Sequence, residues 1–213
     1  MIFAGKIVTG KGVRVAIVDT GIDSSVPNLV DNWDVFLSSA GKIVSKRRQH
    51  DLLGRGTQLA RLVLEEASDV ALIGINIFNE HAKTNSDILA AGIQVALEQY
   101  VDVICVCVST NNPEKLKRFQ NLYKQAEYRD LIIISAHSIS EERAYPSTIS
   151  GVVGVLSHSE ITSRFFYCDP ELFKAEEYAE SGFFLANGWL DGRFRGAEFA
   201  TARVAAKIAC LKE

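Results

Sequence analysis

Short apolar runs alternate with amphipathic segments along the chain. The runs are continuously apolar rather than alternating with polar residues, which predicts strands buried on both faces of a sheet. The predicted strands are Val13–Val18, Asp69–Phe78, Val101–Val108, Leu131–Ala136, Gly151–Leu156 and a short strand near Phe183–Ala186. The segments between them have helical spacing, and the predicted helices are Gly56–Ala67, Asn85–Tyr100, Pro113–Tyr128 and Gly196–Leu211.

This alternation predicts an α/β fold in three layers, with a mostly parallel sheet and helices on both faces. No internal repeat and no linker rich in Pro, Gly or Ser divides the chain, so residues 1–213 are predicted to form a single domain. In such folds, sites form where strands end and lead into helices. The informative residues therefore follow Val18, Val108 and Ala136.

Composition and charge narrow the class of function. The formal net charge is −3 and no run approaches the length of a membrane span, so we expect neither nucleic-acid nor membrane binding. Of the four cysteines, Cys105 and Cys107 fall on one face of a predicted strand, and no pair has metal-site spacing. Free buried thiols in a reducing compartment are expected, and the protein is predicted to be cytoplasmic, with no metal or cofactor.

Several motifs, in order, carry a resemblance to a known family. The segments are Val15–Leu29 with Asp19-Thr20-Gly21, Asp51–Ala60, Leu131–His137, Tyr145-Pro146-Ser147, Gly151–Val155 and Gly196–Ala205. Asp51–Ala60 is similar to D-x-x-G-H-G-T-H-V-A, and Gly196–Ala205 to G-T-S-M-A-T-P-H-V-A. Together they resemble the subtilisin-like serine proteases over nearly the whole chain, which implies that family's fold.

The resemblance also identifies the departures from the family's pattern. The catalytic aspartate is kept as Asp19, whereas Gln58 is assigned to the position of the histidine, Glu198 to that of the nucleophilic serine and His137 to that of the oxyanion-hole asparagine. An amide cannot act as a general base, and losing base and nucleophile together removes triad catalysis. The chain is therefore predicted to be a pseudoenzyme of the family.

The four altered positions should converge if the fold holds. Gln58 could bridge the carboxylates of Asp19 and Glu198, and a protonated His137 could pair with Glu198. Three interpretations stay open: a structural polar cluster, a pocket for a ligand or peptide, and new acid–base chemistry by the two carboxylates. The candidates for relocated catalytic groups are Ser109, Ser135, Ser138, His50 and His137, and none has the glycine-rich turn that a nucleophile needs.

A substrate groove is expected to persist. By the resemblance, Cys107, Val108 and Ser109 would pair with an extended peptide. The opposite wall would be formed by Ile134, Ser135 and Ala136. The predicted function is a catalytically inactive, peptide- or protein-binding scaffold subunit, and the alternative is a hydrolase with a repurposed site at Asp19, Gln58, His137 and Glu198.

Length and local charge add weaker predictions. The chain is shorter than typical family members and lacks room for their calcium loop, with Asn28 in place of an aspartate, and no propeptide is expected before Met1. A trimmed edge favours a homo- or hetero-oligomer. Lys46-Arg47-Arg48 is predicted to be a solvated loop or a docking contact for an acidic partner, and Arg193 and Arg195 could pair with Glu198.

Overall fold

Eight strands form one sheet, which is the centre of the molecule. The protein is described from a computed structural model that covers residues 2–3, 5–48, 50–137, 143–158, 182–190 and 194–213. The strands are β1 (Ile2–Phe3), β2 (Lys6–Ile7), β3 (Arg14–Asp19), β4 (Leu29–Leu37), β5 (Ile43–Arg47), β6 (Ala71–Asn76), β7 (Val103–Val106), β8 (Ile132–Ala136), β9 (Val153–Ser157), β10 (Gly182–Ala186), β11 (Trp189–Leu190) and β12 (Phe194–Arg195). The helices are α1 (Arg55–Glu66), α2 (Ser86–Glu98), α3 (Leu116–Tyr128) and α4 (Ala197–Lys212).

The strand order of the main sheet is β10-β9-β8-β7-β3-β6-β4-β5. All neighbouring pairs are parallel except β4 and β5, which are antiparallel. The predicted fold class, a mostly parallel sheet within an α/β architecture, is confirmed. The carboxyl ends of β3, β6, β7 and β8 lie side by side, so the residues that follow them share one edge of the sheet.

Two hydrophobic cores lie on opposite faces of the sheet. Val15 and Ile17 of β3 pack in one core with α1 and α4, while the alternate residues Ala16 and Val18 pack in the other with α2 and α3. All four side chains are fully buried. Because both faces of β3 are covered, its central positions Val15–Val18 are all apolar, and the first buried polar side chain is Asp19 at the carboxyl edge of the sheet.

The structure differs from the predicted elements mainly at one edge. The hairpin of β4 and β5 was not predicted, because β4 reads LVDNWDVFL, in which polar residues interrupt the apolar ones. The predicted strand at Val101–Val108 is shorter, since β7 ends at Val106. The predicted helix at Pro113 opens with a 3₁₀ turn, Pro113–Lys115, before α3 begins.

Three cysteines lie in the described part of the chain. Cys105, Cys107 and Cys210 are buried and free, as predicted. Cys168 falls outside the described residues. Among the helices that the structure describes, none is long and apolar enough to cross a membrane.

Candidate functional site

Asp19 is the last residue of β3, and its side chain is fully buried at the carboxyl edge of the sheet. Its carboxylate accepts three hydrogen bonds from the Arg55 guanidinium: Nε donates to Oδ1 at 2.9 Å and to Oδ2 at 3.1 Å, and Nη2 donates to Oδ2 at 2.8 Å. The Thr20 backbone N–H donates to Oδ1 at 2.9 Å. The centre of the site is therefore a buried, fork-like ion pair.

The loop before α1 holds Arg55 in place. The Asp51 carboxylate accepts from the Gly54 N–H at 2.8 Å and from the Thr57 N–H at 2.9 Å, so it satisfies free amides at the start of the helix. The Gly56 N–H donates to Thr20 Oγ1 at 2.7 Å. A side chain at position 56 would overlap the Gly21 carbonyl, so only glycine allows α1 to approach β3 this closely.

Burial and charge act on both members of the pair. Burial raises the pKa of the Asp19 carboxyl above its usual range, although the hydrogen bonds and charge of Arg55 oppose that shift. Burial also disfavours the charged form of Arg55, yet its hydrogen bonds and charge contact with Asp19 raise the pKa of the guanidinium. A guanidinium has no acceptor atom and stays protonated in proteins, so it cannot remove a proton from a nucleophile. The Asp19–Arg55 pair therefore cannot work as an aspartate–base couple.

The residue that faces Asp19 is Arg55, and this corrects the expectation that Gln58 would bridge the carboxylates. Both histidines of the motif H-G-T-H are replaced here, by Arg55 and Gln58, and the sequence alone does not show which position faces the aspartate. The structure places Arg55 there, while Gln58 lies further along α1 and is half-buried. Within the described residues, Gln58 makes no side-chain hydrogen bond to Asp19 or Glu198.

Glu198 lies in the first turn of α4 and is half-buried. Its carboxylate lies against Gly196 at the start of the helix, where a side chain at position 196 would overlap it. The negative charge of Glu198 also raises the pKa of Asp19. Its effect is smaller than those of burial and of Arg55. Electrostatic interactions therefore link Glu198 to Asp19 and Arg55, while the predicted convergence of the two carboxylates stays a prediction.

His137 follows β8 and is buried. Its Nδ1 lies 3.0 Å from Ser147 Oγ, and the Ser147 hydroxyl donates to the Ala144 carbonyl at 2.7 Å. Because that hydroxyl proton is directed to Ala144, this arrangement favours the tautomer in which Nδ1 carries the hydrogen. Burial lowers the pKa of His137, which favours the neutral imidazole. Ser147 as the partner of His137 was not predicted, because the two residues approach only through the fold.

Cys107, Val108 and Ser109 follow the last paired residue of β7. The Cys107 N–H donates to the Val18 carbonyl at 3.2 Å, and Thr110 pairs with Tyr145 through N–H to carbonyl bonds of 2.9 and 2.7 Å. Val108 lies between these two paired positions and is half-buried. Among the described residues, no backbone hydrogen bond is made by Val108.

The predicted opposite wall lies inside the sheet instead. Ile134 and Ser135 pair with β7 on one side and with β9 on the other, and Ala136 pairs with Val155 of β9. The main-chain groups of Ile134 and Ser135 are therefore used by the sheet. Ser135 is fully buried, which also leaves no access to it as a relocated nucleophile.

The thiol of Cys107 is buried next to that of Cys105. Its Sγ lies 3.5 Å from Cys105 Sγ. The hydrogen bond with Cys105, together with burial, raises the pKa of Cys107 well above its usual value. The thiolate is thus disfavoured, and Cys107 does not have the character of an activated nucleophile.

The basic run Lys46-Arg47-Arg48 lies in and just after β5 rather than in a loop. Arg48 forms an ion pair with Asp34, and Arg47 forms one with Asp31 at 3.2 Å. Lys46 Nζ lies 5.1 Å from the centroid of the Phe36 ring. Arg47 and Arg48 therefore have partners within the molecule.

The remaining predicted positions have other partners or fall outside the described residues. Asn28 donates its side-chain amide to the Ser68 carbonyl at 2.7 Å. The Arg195 guanidinium lies 5.4 Å from the Trp189 ring centroid. His50 Nδ1 lies 3.4 Å from Asp23 Oδ2. Arg193 and Ser138 fall outside the described residues.

Comparisons with known proteins agree with this architecture. A family model described as the subtilase family matches residues 10–213. The chain is 24% identical over 233 residues to an intracellular serine protease of Paenibacillus polymyxa, covering 96% of this chain and 68% of that protein. It is 25% identical over 175 residues to the major intracellular serine protease of Bacillus subtilis (strain 168), covering 72% of this chain and 53% of that protein.

Solved structures show the same fold. A lanthipeptide protease superposes with a TM-score of 0.64 at 18% identity, covering 93% of this chain and 72% of the other. The prenylagaramide maturation protease superposes with a TM-score of 0.62 at 17% identity, covering 93% and 74%. A cold-adapted subtilisin-like serine proteinase gives a TM-score of 0.67 at 17% identity, covering 95% and 76%.

These names contradict the prediction that the chain is not an enzyme. The similar proteins described above, both by sequence and by structure, are named as proteases. The prediction of a pseudoenzyme is based on the substituted triad positions, whereas these similar proteins are named as proteases. The chain spans 68% and 53% of the lengths of the two curated relatives described above.

Proposed function

Because the chain belongs to the subtilase family, we propose that it binds an extended peptide across the carboxyl ends of its central strands. The observation that carries this proposal is the main chain of Val108. Its N–H and C=O groups make no backbone hydrogen bond within the described part of the chain, although the residues around it are paired at Cys107 and Thr110. A peptide strand that pairs with Val108 would use these groups.

The charge cluster supports the same position for the ligand. The Arg55 side chain is 34% exposed although the Asp19 side chain is fully buried, so the guanidinium extends from the protein interior toward solvent. Its hydrogen bonds to Asp19 use Nε and Nη2, which leaves the Nη1 donors for a ligand. A peptide carbonyl or carboxylate is the acceptor that this arrangement favours.

Peptide hydrolysis at the same site is the second candidate. His137 favours it, because burial lowers its pKa and a neutral imidazole is the form that a general base needs. Since Arg55 cannot accept a proton, a hydrolytic route would have to use His137 or Glu198 as the base. The protease names of the relatives favour this candidate as well.

The proposal also covers the location of the protein, the class of its ligand and its assembly. We place the protein in the cytoplasm, since two of its curated relatives are named intracellular proteases. A precursor peptide is the ligand class that the lanthipeptide and prenylagaramide proteases suggest. We also propose that residues 1–213 form one domain, and an oligomer with copies of this chain or with another protein stays a prediction.

A peptide selection tests the proposal. A displayed library of random peptides is selected on the immobilised protein, and the affinities of the selected peptides are measured. Val108→Pro removes the N–H donor, whereas the control Val108→Ile keeps it. We expect Val108→Pro to weaken binding about fivefold, as for one lost backbone hydrogen bond, and Val108→Ile to bind like the parent.

Two outcomes would contradict peptide binding at this position. One is that the selection yields no peptide, and the other is that Val108→Pro and Val108→Ile bind equally while both remain folded by circular dichroism. Mass spectrometry of each selected peptide after incubation tests the second candidate. Cleavage by the parent protein that is lost in His137→Gln would support hydrolysis as the function. Peptides that stay intact with the parent protein would reject hydrolysis.

A further inference from the structure

A groove separate from the ion pair lies between the end of β4, the loop after β6 and the start of α2. Its volume is about 360 Å³, within the range of about 300–1,000 Å³ that is usual for ligand sites. Its floor is apolar and includes Val35, Ile77, Phe78 and Ile88. Phe78 also lies under the Arg55 guanidinium, 5.1 Å from ring centroid to Cζ, so the groove shares a wall with the charge cluster.

The polar rim of the groove presents hydrogen-bond donors. Asn79 Oδ1 accepts from the Lys83 N–H at 2.9 Å, and Asn85 Oδ1 accepts from the Asp87 and Ile88 N–H groups at 3.0 and 2.9 Å. With both oxygens engaged, these two asparagines have only their Nδ2 donors left for a ligand. Lys83 adds a cation to the same rim.

The acidic residues near the rim are directed to other partners. Glu80 lies 3.5 Å from His81, and Asp87 is bound by Lys115 at 2.8 Å and by Arg118 at 2.9 Å. None of the described residues that line the groove is Asp or Glu, and none of the ion pairs described for the chain involves Lys83. The rim therefore favours a negatively charged group.

Thr84 contributes a hydroxyl group that has no hydrogen-bond partner among the described residues. Its Oγ1 is shielded from solvent and makes no hydrogen bond, and Thr84 lines the groove. An unpaired, buried hydroxyl is unfavourable, so a ligand acceptor within its reach after side-chain rotation would be stabilised. An apolar floor, side-chain donors from Asn79, Lys83 and Asn85 on the rim, and this hydroxyl together suit an apolar group that carries a carboxylate.

We propose that this groove binds the carboxyl-terminal residue of a peptide with a large apolar side chain, the side chain on the floor and the carboxylate at Lys83. The inference rests on the proposed function, since it takes the ligand to be a peptide. The wall shared through Phe78 supports it, because a peptide that reaches Arg55 lies beside the groove.

Short peptides test this assignment by isothermal titration calorimetry. The probes are acetyl-Gly-Gly-Phe with a free carboxylate and the same peptide with a terminal amide. We expect the acid to bind about tenfold more tightly than the amide, as for one charge-assisted contact. Lys83→Met should abolish that preference, while Lys124→Met, an exposed lysine on α3, should retain it.

Thr84→Val gives a second, independent readout. Removing an unpaired hydroxyl should leave the thermal midpoint of the free protein unchanged or higher, while the acid probe binds severalfold more weakly. Equal affinity for acid and amide, no binding of either, or a preference that survives Lys83→Met would overturn the inference. Decanoate that binds as tightly as the acid peptide would also overturn it, because the groove would then recognise an apolar acid rather than a peptide end.

The two proposals fail in different ways. Val108→Pro should weaken longer acid and amide peptides alike, whereas Lys83→Met should affect only the acids. An effect of Val108→Pro without any preference for acids would leave the proposed function standing and reject the groove assignment. The reverse pattern would reject strand pairing at Val108 and keep the groove.

Discussion

Replacing Arg55 with methionine removes the cation that faces the buried Asp19 carboxylate. Asp19 would keep a single backbone hydrogen bond from Thr20 and would stay fully buried. Breaking one side of a buried ion pair usually costs about 3–5 kcal/mol of folding free energy. Since the Arg55 side chain is 34% exposed, we expect the lower end, about 3 kcal/mol.

The expected effect is large enough to measure by thermal unfolding. For a chain of this length, about 3 kcal/mol corresponds to a drop of about 9 °C in the unfolding midpoint at pH 7. Arg61→Met, an exposed arginine on the same helix, is the matched control and should change the midpoint little. The double variant Asp19→Asn with Arg55→Met should recover most of the loss, because no buried charge remains.

The stability lost in Arg55→Met should depend on pH. Burial raises the pKa of Asp19 above its unfolded value, so the folded state binds this proton more tightly than the unfolded state does. Stability from this group is complete below the unfolded pKa and is lost as pH rises through the folded pKa. Without Arg55 the folded pKa rises further, so the deficit of Arg55→Met should be largest at pH 7 and shrink toward the usual pKa of 3.8. A midpoint equal to that of Arg61→Met, or a deficit that does not change with pH, would refute this reasoning.

Three further predictions concern packing and titration. Lys207→Met leaves the buried Glu66 carboxylate without its closest cation and should lower the free energy of unfolding in urea by about 3 kcal/mol. Gly56→Ala should lower it by about 2 kcal/mol, because the new methyl group overlaps the Gly21 carbonyl. Burial lowers the pKa of His137 below 6.5, so its contribution to stability is complete above that pH and falls as pH falls, and His137→Gln should flatten that slope in unfolding experiments from pH 7 to pH 5.

The strands and helices that form the core could be predicted from the sequence. Continuous apolar runs identify β3, β7 and β8, since both faces of each strand are covered. The hairpin of β4 and β5 could not be found in that way. Residues of β5 are all exposed, and β4 mixes Asp and Asn with its apolar positions, so neither strand produces the signal of a buried strand.

The site was predicted only in part, because the sequence gives motif positions but not which side chain faces which. The order of the motifs predicts that Asp19 and Glu198 lie near one another. The partner of Asp19 is Arg55, although Gln58 occupies an equally plausible motif position, and only the start of α1 against β3 decides between them. The partner of His137 is Ser147, which no local pattern indicates.

Within the described part of the chain, the main-chain groups of Val108 are unpaired because strand pairing ends before this residue. β7 ends at Val106 while the predicted strand runs to Val108, and two further residues of pairing would have closed this position. An apolar run does not show where hydrogen bonding stops. The same limit explains why Ile134 and Ser135, predicted as a peptide-binding wall, turn out to be paired on both sides.

Nuclear magnetic resonance titration with a selected peptide tests the central claim most directly. If the chain binds an extended peptide at the edge of the sheet, the amide resonances of Val108 and Ser109 should shift on addition of the peptide, and the Val108 amide should become protected from hydrogen exchange. The control is the amide of Tyr128, which lies at the end of α3 and should not move. Saturable binding that leaves the Val108 amide unshifted and unprotected would contradict the account.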